Sequence, residues 1–358
     1  MKIAGAKTGA AAAVTGAAVT SPLGTSPAGT GTATPVDAVQ KATPPLRSEL
    51  PIFVLTGPTG GGKSDWAIRL ANESAVEIVS VDSALVYRGL DIGSAKPSPA
   101  LRERIPHHLV DICDPTESYS AGQFVTDATA CIARIHARRR VPLLVGGTML
   151  YLRALLHGLA PLPQASPQIR AQLDERAARE GWPALHIELR RIDPVAAGRI
   201  APNDSQRIQR ALEVYYTTGR PISELQRATV SPLAGLRLKY WVLAPTDRNV
   251  LQQRLSVRFR AMMAAGFLNE VKGLHQRGDL TARHPSMRSV GYRQLWAHLD
   301  GEHGLEEAEQ RGIFATRQLA KRQLTWLRAE KVPGWLDPES GETSWNRDVR
   351  HELRELGL

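Results

Sequence analysis

The stretch with the clearest chemistry is Gly57-Pro58-Thr59-Gly60-Gly61-Gly62-Lys63-Ser64, which fits the pattern GxxxxGKS. Glycines let backbone N–H groups converge on phosphate oxygens, and the N-terminus of a following helix adds positive potential. Lys63 supplies a point charge, and the Ser64 hydroxyl can reach a Mg²⁺ ion. The pattern specifies a diphosphate or polyphosphate group and does not by itself specify ATP. Its default owner is a kinase or another nucleotide-binding, ATP-binding enzyme, and its bland alternative is a glycine-rich turn.

Asp82 follows the apolar run Val76–Val81 and begins the stretch Asp82-Ser83-Ala84-Leu85. A carboxylate at the C-terminal end of a parallel strand lies on the edge where open α/β sheets hold ligands. It can bind Mg²⁺, act as a base toward an incoming nucleophile, or cap the next segment. A third apolar run, Val141–Val145, ends in Gly146-Gly147-Thr148, where the glycines permit close backbone approach and Thr148 offers a hydroxyl at the same edge.

Three later stretches are cationic. In Gln206-Arg207-Ile208-Gln209-Arg210 the two arginines share a helical face, which suits phosphate and base edges or, equally, ion pairs such as one to Glu213. Arg288-Ser289-Val290-Gly291-Tyr292-Arg293 and Lys321-Arg322-Gln323-Leu324-Thr325-Trp326-Leu327-Arg328 alternate cations with aromatics, the mixture that base stacking plus phosphate contact requires. Trp326 and Leu327 also fit the core face of an amphipathic helix.

These residues need elements to position them. Pro51–Thr56 reads as a strand, Ser64–Asn72 as a helix, Val76–Val81 and Val141–Val145 as buried strands, and Ala121–Arg140 as a helical crossover. That pattern predicts buried parallel strands joined by helical crossovers. From Pro161 to Leu236 the chain turns to charged, proline-punctuated helices, a helical insertion into the core. Lys239–Ala244 returns as a strand, followed by basic helices over Arg248–Arg260 and Ile313–Arg328. The organisation expected is a disordered N-terminal extension (1–48), a discontinuous α/β core (49–160 and 237–335), the insertion (161–236), and a C-terminal tail (336–358).

Composition is consistent with one folded body of ordinary α/β size: 358 residues, 42% of them hydrophobic, can bury a sizeable core. Residues 1–48 carry Lys2, Lys7, Lys41 and Arg47 against Asp37, only three of the formal +10, so +7 belongs to the folded part. Such an excess attracts polyanions, although a solvated Arg-rich surface gives the same count. Cys113 and Cys131 are the two cysteines, with no CxxC spacing, so neither a disulfide framework nor a cysteine zinc site is indicated. The first 48 residues are Ala, Gly, Thr and Pro with few large apolar side chains, and read as an N-terminal extension or a misassigned start codon. No window approaches the ~20 continuous apolar residues a bilayer crossing needs.

The motifs GPTGGGKS, SVDSALVYRGLDIGSAKP, LVGGTMLY, PNDSQRIQRALEVY, SVGYRQLW and ATRQLAKRQLTWLR, in this order, resemble the bacterial tRNA dimethylallyltransferases, the tRNA isopentenyltransferase family. The likeness runs from about Pro51 to Trp335. It implies a P-loop NTPase-like parallel-sheet core with a helical tRNA-binding insertion. It also implies transfer of a dimethylallyl group from dimethylallyl diphosphate to the exocyclic N6 amine of the adenosine 3′ of the anticodon, in tRNAs reading codons that start with U. Diphosphate would leave in the loop Gly57–Ser64, Ser64 would bind the Mg²⁺ cofactor, and Arg258 would contact the diphosphate. Asp82 would be the catalytic carboxylate, with Thr148 beside the same amine. For the anticodon stem-loop the resemblance nominates Asp82–Leu85, Thr148, Arg170, Gln206–Arg210, Arg288–Arg293 and Lys321–Arg328. The expected location is the cytoplasm and the expected state a monomer. Many relatives carry Ala or Ser among the middle loop residues, a change the phosphate geometry tolerates. The rivals are a metabolite kinase using ATP and a non-catalytic RNA-binding protein.

Overall fold

Among the described residues, six parallel strands form one sheet: β1 (Ile52–Thr56), β2 (Val76–Val81), β3 (His107–His108), β4 (Val141–Gly146), β5 (Leu238–Leu243) and β6 (Gly334–Leu336). They lie in the order β3-β2-β4-β1-β5-β6. The computed structural model describes residues 48–226, 229–330, 332 and 334–358; the disorder expected over 1–48 lies, Ser48 apart, outside the described residues.

The two-residue periodicity of a strand sends alternate side chains to opposite faces. Phe53, Leu55, Ile78, Leu143, Val145 and Leu243 join one core, built with helix α1 (Lys63–Glu73). Ile52, Val54, Val79, Leu144 and Val242 join the other. That second layer is closed by α3 (Ala121–Ala137) and α4 (Met149–His157), while the short α2 (Pro99–Arg104) lies between β2 and β3. Helix α3 opens on a capping box in which Ser120 and Gln123 each bond the other's backbone N–H. It stops at Ala137, three residues short of the periodicity, because Arg139 takes a left-handed φ of 54° to turn the chain into β4.

The insertion contains α5 (Pro167–Glu180), α6 (Trp182–Ile192), α7 (Pro194–Ala197), α8 (Ser205–Thr218) and α9 (Ile222–Leu225). Leu173, Leu185, Leu189, Ile208 and Leu212 give it an apolar centre of its own, within the same compact unit as the sheet. After β5 come α10 (Arg248–Ala264), α11 (Phe267–His275), α12 (Tyr292–Leu299) and α13 (Leu305–Ala329). They pack on the loop that follows Asp82 through Phe259, Phe267, Tyr292 and Leu90.

The segment read as a C-terminal tail is not one. Leu336 ends β6, and α14 (Glu342–Glu355) lays Trp345, Val349 and Leu353 onto the α1 side of the sheet. Trp345 is fully buried against Trp66, with ring centroids 5.3 Å apart, and against Trp241 at 6.2 Å. The i, i+4, i+8 spacing of these three residues is a helical signal that the polar sequence around them obscures.

Candidate active site at the strand ends

The loop Gly57–Ser64 joins β1 to α1, and its glycines are required by geometry. At Gly57, with φ 151°, a Cβ would lie 2.1 Å from the Leu243 carbonyl oxygen; Gly60 and Gly62 take φ of 76° and 87°. Gly62 leaves the first amides of α1 without a side-chain cap, so that end of the helix is free to receive an anion. Lys63 Nζ donates to Gly57 O at 3.0 Å and Pro58 O at 2.7 Å. Burial pushes its pKa down to about 8; attraction from Asp82 opposes that fall and repulsion from Arg258 adds to it. The Ser64 hydroxyl lies exposed in the first turn.

Asp82 leaves β2 where Val81 pairs with Gly146 of β4, which brings it alongside Gly147 and Thr148. Its Oδ1 accepts from the amides of Ala84 at 2.8 Å and Leu85 at 3.4 Å. The capping interaction therefore exists and uses one oxygen; Oδ2 has no protein partner among the described residues. Thr148 Oγ1 accepts from Ser83 N at 3.0 Å and its hydroxyl reaches Ser83 Oγ at 3.3 Å. Gly146 is obligatory here, because a Cβ would fall 2.1 Å from Val81 O.

Arg258, on α10, is exposed; desolvation of its guanidinium lowers the pKa, countered by the charges of Asp82 and Asp65. Lys63, Asp82 and Arg258 thus share one electrostatic neighbourhood.

The residues nominated for RNA contact separate by exposure. Lys321, Arg322, Thr325 and Arg328 are exposed on α13, Arg288 and Arg293 are exposed around the start of α12, and Gln206 and Arg207 are exposed on α8. Arg153 lies over the Trp326 ring, 5.2 Å from its centroid. Ile208, Tyr292, Gln323, Leu324 and Leu327 are buried and cannot present their side chains to a partner. Arg170 and Arg210 instead clasp the fully buried Glu213 at 2.9 and 2.6 Å, which is the ion-pair alternative at that site. Arg207 pairs with Asp204 at 2.7 Å while remaining largely exposed.

One positioning group, Glu270, escaped sequence reasoning, and a second, Gln323, was nominated only as a tRNA contact. Glu270 of α11 accepts from the amides of Asp91, Ile92 and Gly93 at 3.0, 2.6 and 3.1 Å and from the Tyr292 hydroxyl at 2.6 Å, so it holds the loop after Asp82. Gln323 of α13 bonds the diphosphate loop itself, accepting from Thr59 N at 2.8 Å. Neither contact has a local signal, because each joins residues far apart in the chain.

A parallel sheet with a glycine-rich phosphate loop after its first strand, and a carboxylate across from it at the next strand end, defines a protein of the P-loop NTPase-like class. The family model for IPP transferase matches residues 85–330, and that for isopentenyl transferase matches residues 50–106. The chain is 56% identical over 304 residues to a tRNA dimethylallyltransferase of Methylococcus capsulatus, covering 85% of this chain and 97% of that one. The crystal structure of the tRNA isopentenylpyrophosphate transferase of Bacillus halodurans superposes with a TM-score of 0.61 at 35% identity, over 86% of this chain and 98% of that one. A eukaryotic dimethylallyltransferase described as acting on tRNA gives a TM-score of 0.65 at 29% identity, over 80% and 73%. This chain belongs to the tRNA dimethylallyltransferase family.

Proposed function

We propose that the protein transfers a dimethylallyl group from dimethylallyl diphosphate to the N6 amine of the adenosine 3′ of the anticodon, in tRNAs that read codons starting with U, and releases diphosphate. The carrying observation is that the phosphate loop after β1, with Lys63 on its Gly57 and Pro58 carbonyls, and the strand ends carrying Asp82 and Thr148 lie at the same edge of one parallel sheet. Cations for a departing diphosphate and an acceptor for a proton therefore share that edge. Relatives named tRNA dimethylallyltransferase at more than half identity support the same assignment.

In the step, the allylic C–O bond breaks with its electron pair on the diphosphate, and the adenine amine forms the new C–N bond. Loop amides, Lys63 and Arg258 stabilise the charge that builds on the leaving oxygens. Asp82, held in place by the Ala84 and Leu85 amides, takes the amine proton. Thr148, tied to Ser83, borders the same amine.

A divalent cation fits this site. Ser64 offers an exposed hydroxyl at the start of α1, an oxygen ligand that suits a hard ion such as Mg²⁺, while the free oxygen of Asp82 is left to take the amine proton. Among the described residues no cluster of three or more His, Cys, Asp and Glu is arranged for a metal, so the diphosphate itself would complete the coordination. When bound, the ion supplies further positive charge to the diphosphate oxygens.

The exposed cations of α12 and α13 would bind the anticodon stem-loop, together with Gln206 and Arg207 of the insertion. An adenine must leave its stack to reach Asp82, a penalty of a few kcal/mol that these contacts offset. Monomeric action in the cytoplasm, where the tRNA is, belongs to the same reading. No helix among the described residues is long and apolar enough to cross a membrane.

The test is incubation with Mg²⁺ and unmodified tRNA, with radiolabelled dimethylallyl diphosphate or γ-labelled ATP in parallel, followed by nucleoside analysis. Prenyl label on the adenosine beside the anticodon is expected. Transfer from ATP alone would overturn the assignment in favour of a kinase.

A further inference from the structure

Gln323 lies on the helix whose exposed face carries Lys321, Arg322 and Arg328, yet its own side chain is only 7% exposed. Its Oε1 accepts from Thr59 N at 2.8 Å and its Nε2 donates to Gly147 O at 2.7 Å. A backbone N–H can only donate and a carbonyl can only accept, so these two partners fix the orientation of the amide. Thr59 belongs to the loop for the leaving group. Gly147 precedes Thr148, whose hydroxyl holds the Ser83 backbone beside Asp82. The tie also requires a missing side chain, since a Cβ on Gly147 would stand 2.4 Å from Gln323 Nε2.

We propose, resting on the function given above, that Gln323 is a positioning residue for the transfer: one amide sets the diphosphate loop and the acceptor-side strand end at a fixed separation. The reacting carbon and the amine must be held at contact distance for the bond to form, and a displacement of an ångström costs about 10²-fold in rate. No group other than Gln323 hydrogen-bonds both Thr59 and Gly147 among the described residues. Its anchorage on α13 places this tie on a helix that also faces the RNA.

Gln323→Leu keeps the apolar contacts of the side chain and removes both hydrogen bonds. The expected result is kcat at saturating substrates lowered by about 10²-fold, with tRNA affinity by filter binding and the circular dichroism spectrum unchanged. Affinity for inorganic diphosphate with Mg²⁺, measured calorimetrically, should weaken several-fold. Gly147→Ala, which displaces the same amide from the other side, should reproduce the loss in kcat. Gln323→Glu keeps the acceptor for Thr59 and loses the donor to Gly147, and should fall between wild type and Gln323→Leu; it decides the matter if Gln323→Leu does not fold.

Wild-type kcat in Gln323→Leu or Gln323→Glu overturns the proposal, as does a loss confined to tRNA affinity, which would place the effect in the cationic surface of α13 rather than in the tie. If the wild-type protein transfers no prenyl group, the proposed function falls instead, and the diphosphate titration still tests the tie. Unaltered diphosphate affinity in Gln323→Leu would then overturn it.

Discussion

Lys63 is folded back onto Gly57 and Pro58 of its own loop, and burial lowers its pKa from the ordinary 10.5 to about 8. The ammonium is therefore present below about 8 and lost as pH rises through it. Affinity of the free protein for inorganic diphosphate should fall across that value, and Lys63→Met should remove the transition; calorimetry on either side of it checks both. For stability the sign is opposite. The unfolded chain holds a proton that the folded one lacks between about 8 and 10.5, so the cost of burying this amine is full below about 8 and relieved as pH rises toward 10.5. Asp82 was legible from its place at a strand end, and the structure adds that one of its oxygens is committed to the backbone. Asp82→Ala should lower turnover by about 10² to 10⁴ while tRNA affinity, read by filter binding, stays near wild type.

At the scale of elements, the helices after β5 do two jobs that their basic sequences do not separate. Outward side chains of α13 make a cationic surface, whereas its inward residues Ala320 and Leu324 pack with Leu251 and Leu255 of α10 beneath the diphosphate loop. The resemblance nominated the whole of Lys321–Arg328 as one interface, while Trp326 and Leu327 also fitted a core face; a helix turns successive residues through about 100°, so only part of such a run can face a partner. Lys321→Ala and Arg322→Ala should each weaken tRNA binding and reduce the magnitude of its log–log salt slope by about 1, with kcat at saturating tRNA preserved. Glu270 is the opposite case, a single side chain on α11 that satisfies three consecutive amides. Glu270→Ala leaves those amides short of partners and should lower stability by about 1–3 kcal/mol, measured from the urea midpoint.

At the scale of the whole molecule, α14 closes one face of the sheet, so the end of the chain belongs to the core. Trp345→Ala should cost about 3–5 kcal/mol in chemical denaturation, whereas a dispensable tail would show no change. The central strands β1, β2, β4 and β5, the phosphate loop and the strand-end position of Asp82 could be read from the chain because each rests on local physics: apolar runs of strand length, glycines at forced backbone angles, and a carboxylate where a strand stops. The short strands β3 and β6 carry no such pattern, since their places depend on β2 and β5 already standing beside them. Tertiary structure alone decided which cations face outward, that Arg170 joins the local Arg210–Glu213 pair, and that Gln323 turns inward to join the loop to β4. Those outcomes depend on contacts between residues distant in the chain, and side-chain type and spacing do not determine which partner will be within reach once the sheet has closed.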